Sequence, residues 1–267
     1  MTLFHAFLLG IVQGLTEFIP VSSTAHLLIS QYLFGIPASD AMFSFLVIVQ
    51  LGTLVSLFIF YWKDLLAIAQ ATLNIRRSTP ERNLGLYIVI AVIPALLAGY
   101  LLKDAVESLF RQPILEASIR LFAAAVLLSV AEWLSKKNRS LNSMNWLDAL
   151  IIGLMQVIAV FPGASRSGTT IAGGMLRGFD RPSAARFSFL LSVPVMLAAG
   201  LYEMLDVIQM PNLAQFLPLL AVGFITAAIV GWFAIKWLID YLNKHSLYVF
   251  AIYCAVVGFI LLIVQTF

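Results

Sequence analysis

The stretch Gln13-Gly14-Leu15-Thr16-Glu17-Phe18-Ile19-Pro20-Val21-Ser22-Ser23-Thr24 decides the fold. It lies in the middle of an apolar segment, residues 3–33, and breaks it at 18–24. A spanning helix needs about 20 consecutive, mostly apolar residues, and neither half supplies them. Proline removes a backbone donor, and the small hydroxyl residues compete for backbone partners, so the helix stops there. Inside a bilayer such backbone survives only where protein or a water-filled cavity surrounds it. The segment therefore reads as a re-entrant hairpin: helix in, turn, helix out on the same side.

A second segment repeats the pattern. Residues 148–178 are broken by Phe161-Pro162-Gly163-Ala164-Ser165-Arg166-Ser167-Gly168. Gly10, Gln13 and Phe18 recur as Gly153, Gln156 and Phe161, each 143 residues on. Phe43-Ser44-Phe45-Leu46 recurs as Phe187-Ser188-Phe189-Leu190, 144 residues on. Two matches at nearly one offset indicate a duplicated unit, with repeat 1 over about 1–140 and repeat 2 over about 141–267 of a single membrane domain.

The rest of the chain supports a membrane setting. Of its 267 residues 61% are hydrophobic and only 11% charged, against roughly 25% charged in soluble domains; the mean hydropathy is +0.98. A soluble enzyme, a nucleic-acid binder and a disordered protein are excluded, since the basic residues are scattered singly and not clustered on one face. The lone Cys254 excludes a disulfide scaffold and reads as a small lipid- or helix-facing residue. No Lys or Arg precedes Lys63, so residues 1–42 lack the basic start of a secretory signal and are expected to belong to the fold. Spans are expected at 41–62, 83–102, 117–135, 187–206, 217–238 and 247–266, with a loop marked by Pro211, Asn212 and Pro218. Arg120 and Glu132 are expected to snorkel to the interfaces. The fold class is an all-α polytopic membrane protein of six transmembrane helices and two re-entrant helical hairpins. Three spans per unit is odd, so the second copy lies inverted relative to the first.

Charge placement orients this layout. With the N-terminus outside, the cytoplasmic loops hold Lys63, Arg76, Arg77, Arg82, Lys136, Lys137, Arg139, Arg177, Arg181, Arg186, Lys236 and Lys244, twelve in all. Outside or near it lie three, Lys103, Arg111 and Arg120. Both termini are expected outside.

Almost all intramembrane polarity sits at the two breaks. Gln13 and Glu17 are spaced i,i+4 and share a helix face; Ser22, Ser23, Thr24 and His26 follow. At the second break stand Ser165, Arg166, Ser167, Thr169 and Thr170. A buried ion costs about 2.5–3.5 kcal/mol even on the lenient insertion scale. Plainer roles exist for each: Glu17 and Arg166 as an ion pair gluing the repeats, His26 as a satisfied core histidine, the serines as helix caps. None explains why all of them gather at two matching breaks. Helix starts after both breaks, hydroxyls and an arginine suit a phosphate, while Glu17 repels one. A divalent cation bridging carboxylate and phosphate reverses that repulsion, and oxygen-only ligands point to Mg2+ or Ca2+. His26 supplies a base for a hydroxyl or water. The chemistry suggested is phosphoryl transfer or hydrolysis within the membrane.

Residues 13–26, ending Ala25-His26, resemble the first signature of the undecaprenyl-diphosphatase (bacitracin-resistance) family, and residues 162–170 resemble its second. The likeness extends to length, motif order and separation. It implies hydrolysis of undecaprenyl diphosphate to the monophosphate and phosphate, recycling the lipid carrier for cell-wall synthesis and conferring bacitracin resistance. It also implies that Glu17 and Gln13 help hold the metal, and that Ser22 or Ser23 forms a nucleophile–base pair with His26. Arg166, Ser165 and Ser167 would grip the diphosphate, with Thr24, Thr170 and Gln156 completing the substrate-binding set. The family takes Glu or Gln at the position of Gln13; Gln leaves one carboxylate fewer for the metal. Ala25 stands where glycine is common. Expected partners are the lipid diphosphate and membrane lipids, with a homodimer as the one assembly considered and no nucleic acid. The expected location is the bacterial cytoplasmic (inner) membrane, with the site facing the periplasm or outside.

Two other readings compete. The type-2 phosphatidic-acid phosphatases need a second histidine soon after their Ser-Arg pair, but the next one here is His245. A secondary transporter or flippase for an isoprenoid lipid phosphate fits the inverted-repeat plan equally well. The orientation is checked by fusing a reporter after Phe267. It should be active only outside the cytoplasm; activity confined to the cytoplasm refutes the assignment.

Overall fold

The computed structural model describes residues 1–37, 39–74, 78–102, 113–160, 165–209 and 213–266. Among these are ten α-helices and no strand beyond an isolated bridge between Arg139 and Phe179. Arg76, Arg77, Lys103, Arg111, Pro211, Asn212 and the tetrapeptide Phe161-Pro162-Gly163-Ala164 lie outside the described residues.

The first broken segment forms Leu3–Thr16 (α1) and Ser23–Leu33 (α2). Their 14 and 11 residues rise about 21 and 17 Å at roughly 1.5 Å per residue, short of the ~30 Å hydrocarbon layer. The second forms Trp146–Val157 (α6) and Arg166–Leu176 (α7), 12 and 11 residues long. Between and after them run Asp40–Leu73 (α3), Pro80–Leu101 (α4), Pro113–Leu134 (α5), Arg181–Ile208 (α8), Leu213–Leu242 (α9) and Tyr248–Thr266 (α10). Five of these, α3, α4, α5, α8 and α9, are long and apolar enough to cross a membrane. The sixth expected span is α10, whose apolar run Tyr248–Val264 is shorter; its 19 residues rise about 28 Å. The protein is an all-α, multi-pass membrane protein.

Several boundaries differ from the sequence expectation. Helix α3 continues past Trp62 to Leu73 through a kink at Tyr61 (φ −106°, ψ 19°). The apolar run ends there, but Lys63 and Asp64 are compatible with helix and only its direction changes. Pro218 lies inside α9 rather than in the preceding loop. At the sixth position it removes the donor to the Ala214 carbonyl, a loss that membrane helices tolerate through neighbouring groups and local adjustment.

The duplicated residues do equivalent work in the two halves. Helix α1 packs against α9 and α6 against α4, while α3 meets α8 and α5 meets α10. Exchanging first-half elements for their second-half counterparts maps these contacts onto one another. Gly10 and Gly153 mark the close approaches: a Cβ on Gly10 would lie 2.7 Å from the Gly223 carbonyl oxygen, and one on Gly153 would lie 2.7 Å from the Ala91 Cα. In the repeated tetrapeptide, Phe45 and Phe189 are both fully buried, as are Ser44 and Ser188 nearly so.

Glu132 corrects the expectation of snorkelling. It is 3% exposed, ion-paired with Arg181 and with Lys137 (2.7 Å), and it accepts the Leu247 N–H at 3.1 Å. Asp148, which the sequence reading passed over, is fully buried between Arg139 (2.6 Å) and Arg177 (2.8 Å). It also closes a capping box with Asn145 at the start of α6. The loop cations counted for orientation thus also clamp one end of the bundle. Removing one partner of such a pair leaves an uncompensated buried charge, which costs about 3–5 kcal/mol. Cys254 faces the helices: it is buried, with Sγ 3.9 Å from the Pro20 carbonyl oxygen.

Candidate active site

Helix α1 ends at Thr16, and Glu17 follows as its C-cap. Four residues back, Gln13 donates through Nε2 to Glu17 Oε2 at 2.8 Å. The chain then turns through Pro20 and reverses at Ser22, whose φ of 69° is left-handed. A non-glycine residue held there stores about 1–3 kcal/mol. The reversal aims the start of α2 back at Glu17, so the Ser23 hydroxyl donates to Oε2 at 2.7 Å. Ser22 itself caps α2, accepting the Ala25 N–H at 3.3 Å.

The second break completes the cluster. Arg166 opens α7 and donates from Nη2 to Glu17 Oε1. Ser165 caps the same helix by accepting the Gly168 N–H at 3.0 Å. Ser167 donates to the Glu17 carbonyl at 3.2 Å, and its hydroxyl lies 3.3 Å from that of Ser165. The starts of α2 and α7 therefore converge on one carboxylate. Their unpaired N–H groups and positive dipole ends favour negative charge. Glu17 is 7% exposed; its pairing with Arg166 offsets the cost that either ion would carry alone in a membrane. The fork of Arg166 keeps further N–H donors beyond the one given to Glu17.

The structure thus brings together Gln13, Glu17, Ser22, Ser23, Ser165, Arg166 and Ser167. It does not place Ser22 or Ser23 on His26 as a nucleophile–base pair, which corrects that expectation. His26 Nδ1 lies 2.7 Å from the backbone carbonyl of Ser22, and Nε2 lies 2.7 Å from the Tyr253 hydroxyl. The hydroxyl of Ser23 is committed to Glu17 instead. Thr170 turns to the side, donating to the Arg166 carbonyl at 2.8 Å and meeting the Ser188 hydroxyl. Among the described residues no hydrogen bond ties Thr24 into the cluster. Gln156 is 2% exposed, yet among the described residues neither polar atom of its amide has a hydrogen-bond partner. Ser188 and Tyr253 were not foreseen. Ser188 stands in the repeated tetrapeptide and could have been found through it; Tyr253 is one tyrosine in an apolar helix and gives no signal.

Among the described residues no three of His, Cys, Asp and Glu come together as a metal cluster. Among the described residues Glu17 is the one carboxylate of the site, met by the Gln13 amide N–H, the Ser23 hydroxyl and the Arg166 guanidinium. A hard cation there would take Glu17, hydroxyl oxygens and the Gln13 amide turned to present its oxygen, and would draw its remaining negative oxygens from a bound phosphate.

Fold and cluster define a class: a multi-pass membrane protein whose two broken segments meet in a buried, anion-directed polar site. The family model for the bacitracin resistance protein BacA matches residues 6–260, and the chain belongs to that family. An undecaprenyl-diphosphatase of Chlorobium phaeovibrioides is 42% identical, covering 98% of this chain and 97% of its own length. One from Alkaliphilus metalliredigens is 39% identical over 98% of each, and one from Anaeromyxobacter dehalogenans is 42% identical over 97% of this chain and 90% of its own.

The Glu17–Arg166 pair is testable by a thermodynamic cycle. Glu17→Gln and Arg166→Met should each destabilise the purified protein by about 3–5 kcal/mol, because each strands the other charge. The double substitution should be more stable than either single one. Thermal unfolding in detergent checks this; additive losses would show that the two charges are not coupled.

Proposed function

We propose that the protein hydrolyses undecaprenyl diphosphate to undecaprenyl monophosphate and phosphate, returning the lipid carrier to cell-wall synthesis and conferring resistance to bacitracin. The observation that carries this reading is the junction of the two breaks at Glu17, with the Ser23 hydroxyl on one carboxylate oxygen and Arg166 on the other. The relatives named above carry that activity in their names. They lend nothing to the transporter or flippase alternative.

The residues divide the work as follows. The terminal phosphate enters between the starts of α2 and α7, where the N–H groups and the free donors of Arg166 receive its oxygens. Glu17 accepts the Ser23 proton along the existing 2.7 Å hydrogen bond. Ser23 Oγ attacks the terminal phosphorus; the new Oγ–P bond forms as the bond to the bridging oxygen breaks, and undecaprenyl monophosphate leaves with the electron pair. Water then attacks the phosphoserine phosphorus as the Oγ–P bond breaks; the released phosphate keeps the water's protons, and Ser23 Oγ recovers its own proton from Glu17, which restores both groups. Arg166 holds charge that grows on the transferred group, which is where preorganised donors contribute most. Ser22 is assigned to the backbone reversal and the cap of α2.

A divalent cation, Mg2+ or Ca2+, fits as an ion that arrives with the substrate. Glu17 would hold it, joined by Gln13 once its amide presents oxygen in place of nitrogen. Such an ion would offset the repulsion between the carboxylate and the diphosphate. The charge count supports a site reached from the periplasmic side of the bacterial inner membrane.

Purified protein in detergent, with no ion gradient, should release phosphate from undecaprenyl diphosphate. Excess chelator should abolish this, and cation binding should be far weaker without substrate than with it. Ser23→Ala should lower kcat by roughly a thousandfold or more, up to about a millionfold, at similar KM, on the scale of losing a nucleophile in a concerted site. Ser22→Gly should retain most activity because glycine accepts the positive φ. Absence of phosphate release in the presence of cation would refute the reading.

A further inference from the structure

His26, the last residue of the first signature, and Tyr253, which lies outside both signatures, face each other across the seam between α2 and α10. The ring of His26 is held at both nitrogens. A carbonyl oxygen can only accept, so the 2.7 Å contact to Ser22 puts the proton on Nδ1. In the neutral ring Nε2 is then the lone-pair nitrogen, and the Tyr253 O–H, 2.7 Å away, is its donor. The two rings also stack, with centroids 5.6 Å apart and planes 10° from parallel. The Ser22 carbonyl receives the His26 backbone N–H as well, at 3.3 Å. The imidazole is thereby fixed to the same turn that presents Ser23 to Glu17.

Tyr253 is unusual in its setting. It is 43% exposed on a helix whose neighbouring outward residues, Ile252, Val249 and Val256, are apolar. A hydroxyl facing hydrocarbon needs an internal partner, and His26 provides it. With Nδ1 committed to the Ser22 carbonyl and the Nε2 lone pair to the Tyr253 hydroxyl, the ring tethers α10 to the turn that presents Ser23 to Glu17.

We propose that Tyr253 is a positioning residue of the phosphatase site, holding the His26 imidazole through its O–H bond to Nε2 and its stacked ring. The proposal rests on the reading under Proposed function. It assigns Tyr253 no contact with the reacting atoms; its effect passes through His26.

Tyr253→Phe keeps the stack and removes the donor. It should lower kcat roughly tenfold through loss of orientation and leave KM and the thermal midpoint nearly unchanged. His26→Ala/Tyr253→Phe should be no slower than His26→Ala alone, as for residues acting as a unit. Nitrogen-15 spectra of the imidazole, recorded in a His5→Gln/His245→Gln background so that His26 alone reports, should show the Nε2 resonance moving downfield on Tyr253→Phe. Multiplicative losses in the double variant, an unmoved Nε2 resonance, or a thermal midpoint that falls in step with activity would each overturn the proposal. The spectrum needs no substrate. An unsubstituted protein that releases no phosphate would defeat the phosphatase reading and this proposal with it, whereas normal turnover with an unmoved resonance would defeat this proposal alone.

Discussion

The ion pair between Glu17 and Arg166 is the constraint on which the rest depends. Neither charge is tolerable alone at that depth in a membrane, and they come from positions 149 residues apart in sequence. Each is delivered by a helix that stops short. Glu17 is where α1 ends, and Arg166 is where α7 begins. The close glycine-mediated packing of α1 on α9 and of α6 on α4 holds the two stopping points in place. The breaks are therefore the means by which a mostly apolar bundle gathers one carboxylate, one guanidinium and several hydroxyls at a single point.

The same pair explains how an anion-directed site carries a carboxylate. Without ligand, Arg166 neutralises Glu17, and two helix starts add positive potential around it. A phosphate competes for the donors of Arg166 without needing any of them to be built anew, and Glu17 is left as the acceptor for the Ser23 proton. The strained Ser22 belongs to this arrangement, because a relaxed turn would not point Ser23 back toward α1. At the other end of the bundle, Glu132 and Asp148 use the same device for a structural purpose. They bind arginines and a lysine away from the two helix breaks.

Much of this was legible in the sequence because the relevant signals are local. Proline with small hydroxyl residues inside an apolar run marks a broken helix, and a residue pattern repeated at one offset marks a duplicated unit. Gln13, Glu17, Ser23 and Arg166 were all identified from such patterns. What escaped is what depends on long-range packing. The histidine was paired with the serines because it follows them closely, but on α2 its ring falls on the face toward α10 and meets Tyr253. Glu132 looked like a residue that snorkels from a helix end, yet Arg181 and Lys137 enclose it. Helix ends drifted for the reason seen at Tyr61: hydropathy reports where the membrane ends, and hydrogen bonding continues past it.

The central claim is that Arg166 has two tasks, pairing with Glu17 at rest and gripping the transferred phosphoryl group during turnover. Lysine separates them, since it keeps the charge but lacks the planar fork that holds two oxygens. The decisive measurement is phosphate release from undecaprenyl diphosphate by purified Arg166→Lys, taken together with its thermal midpoint. The account predicts a folded protein of near-normal stability whose kcat/KM has fallen by roughly a hundredfold or more. A folded Arg166→Lys protein with near-normal turnover would contradict it.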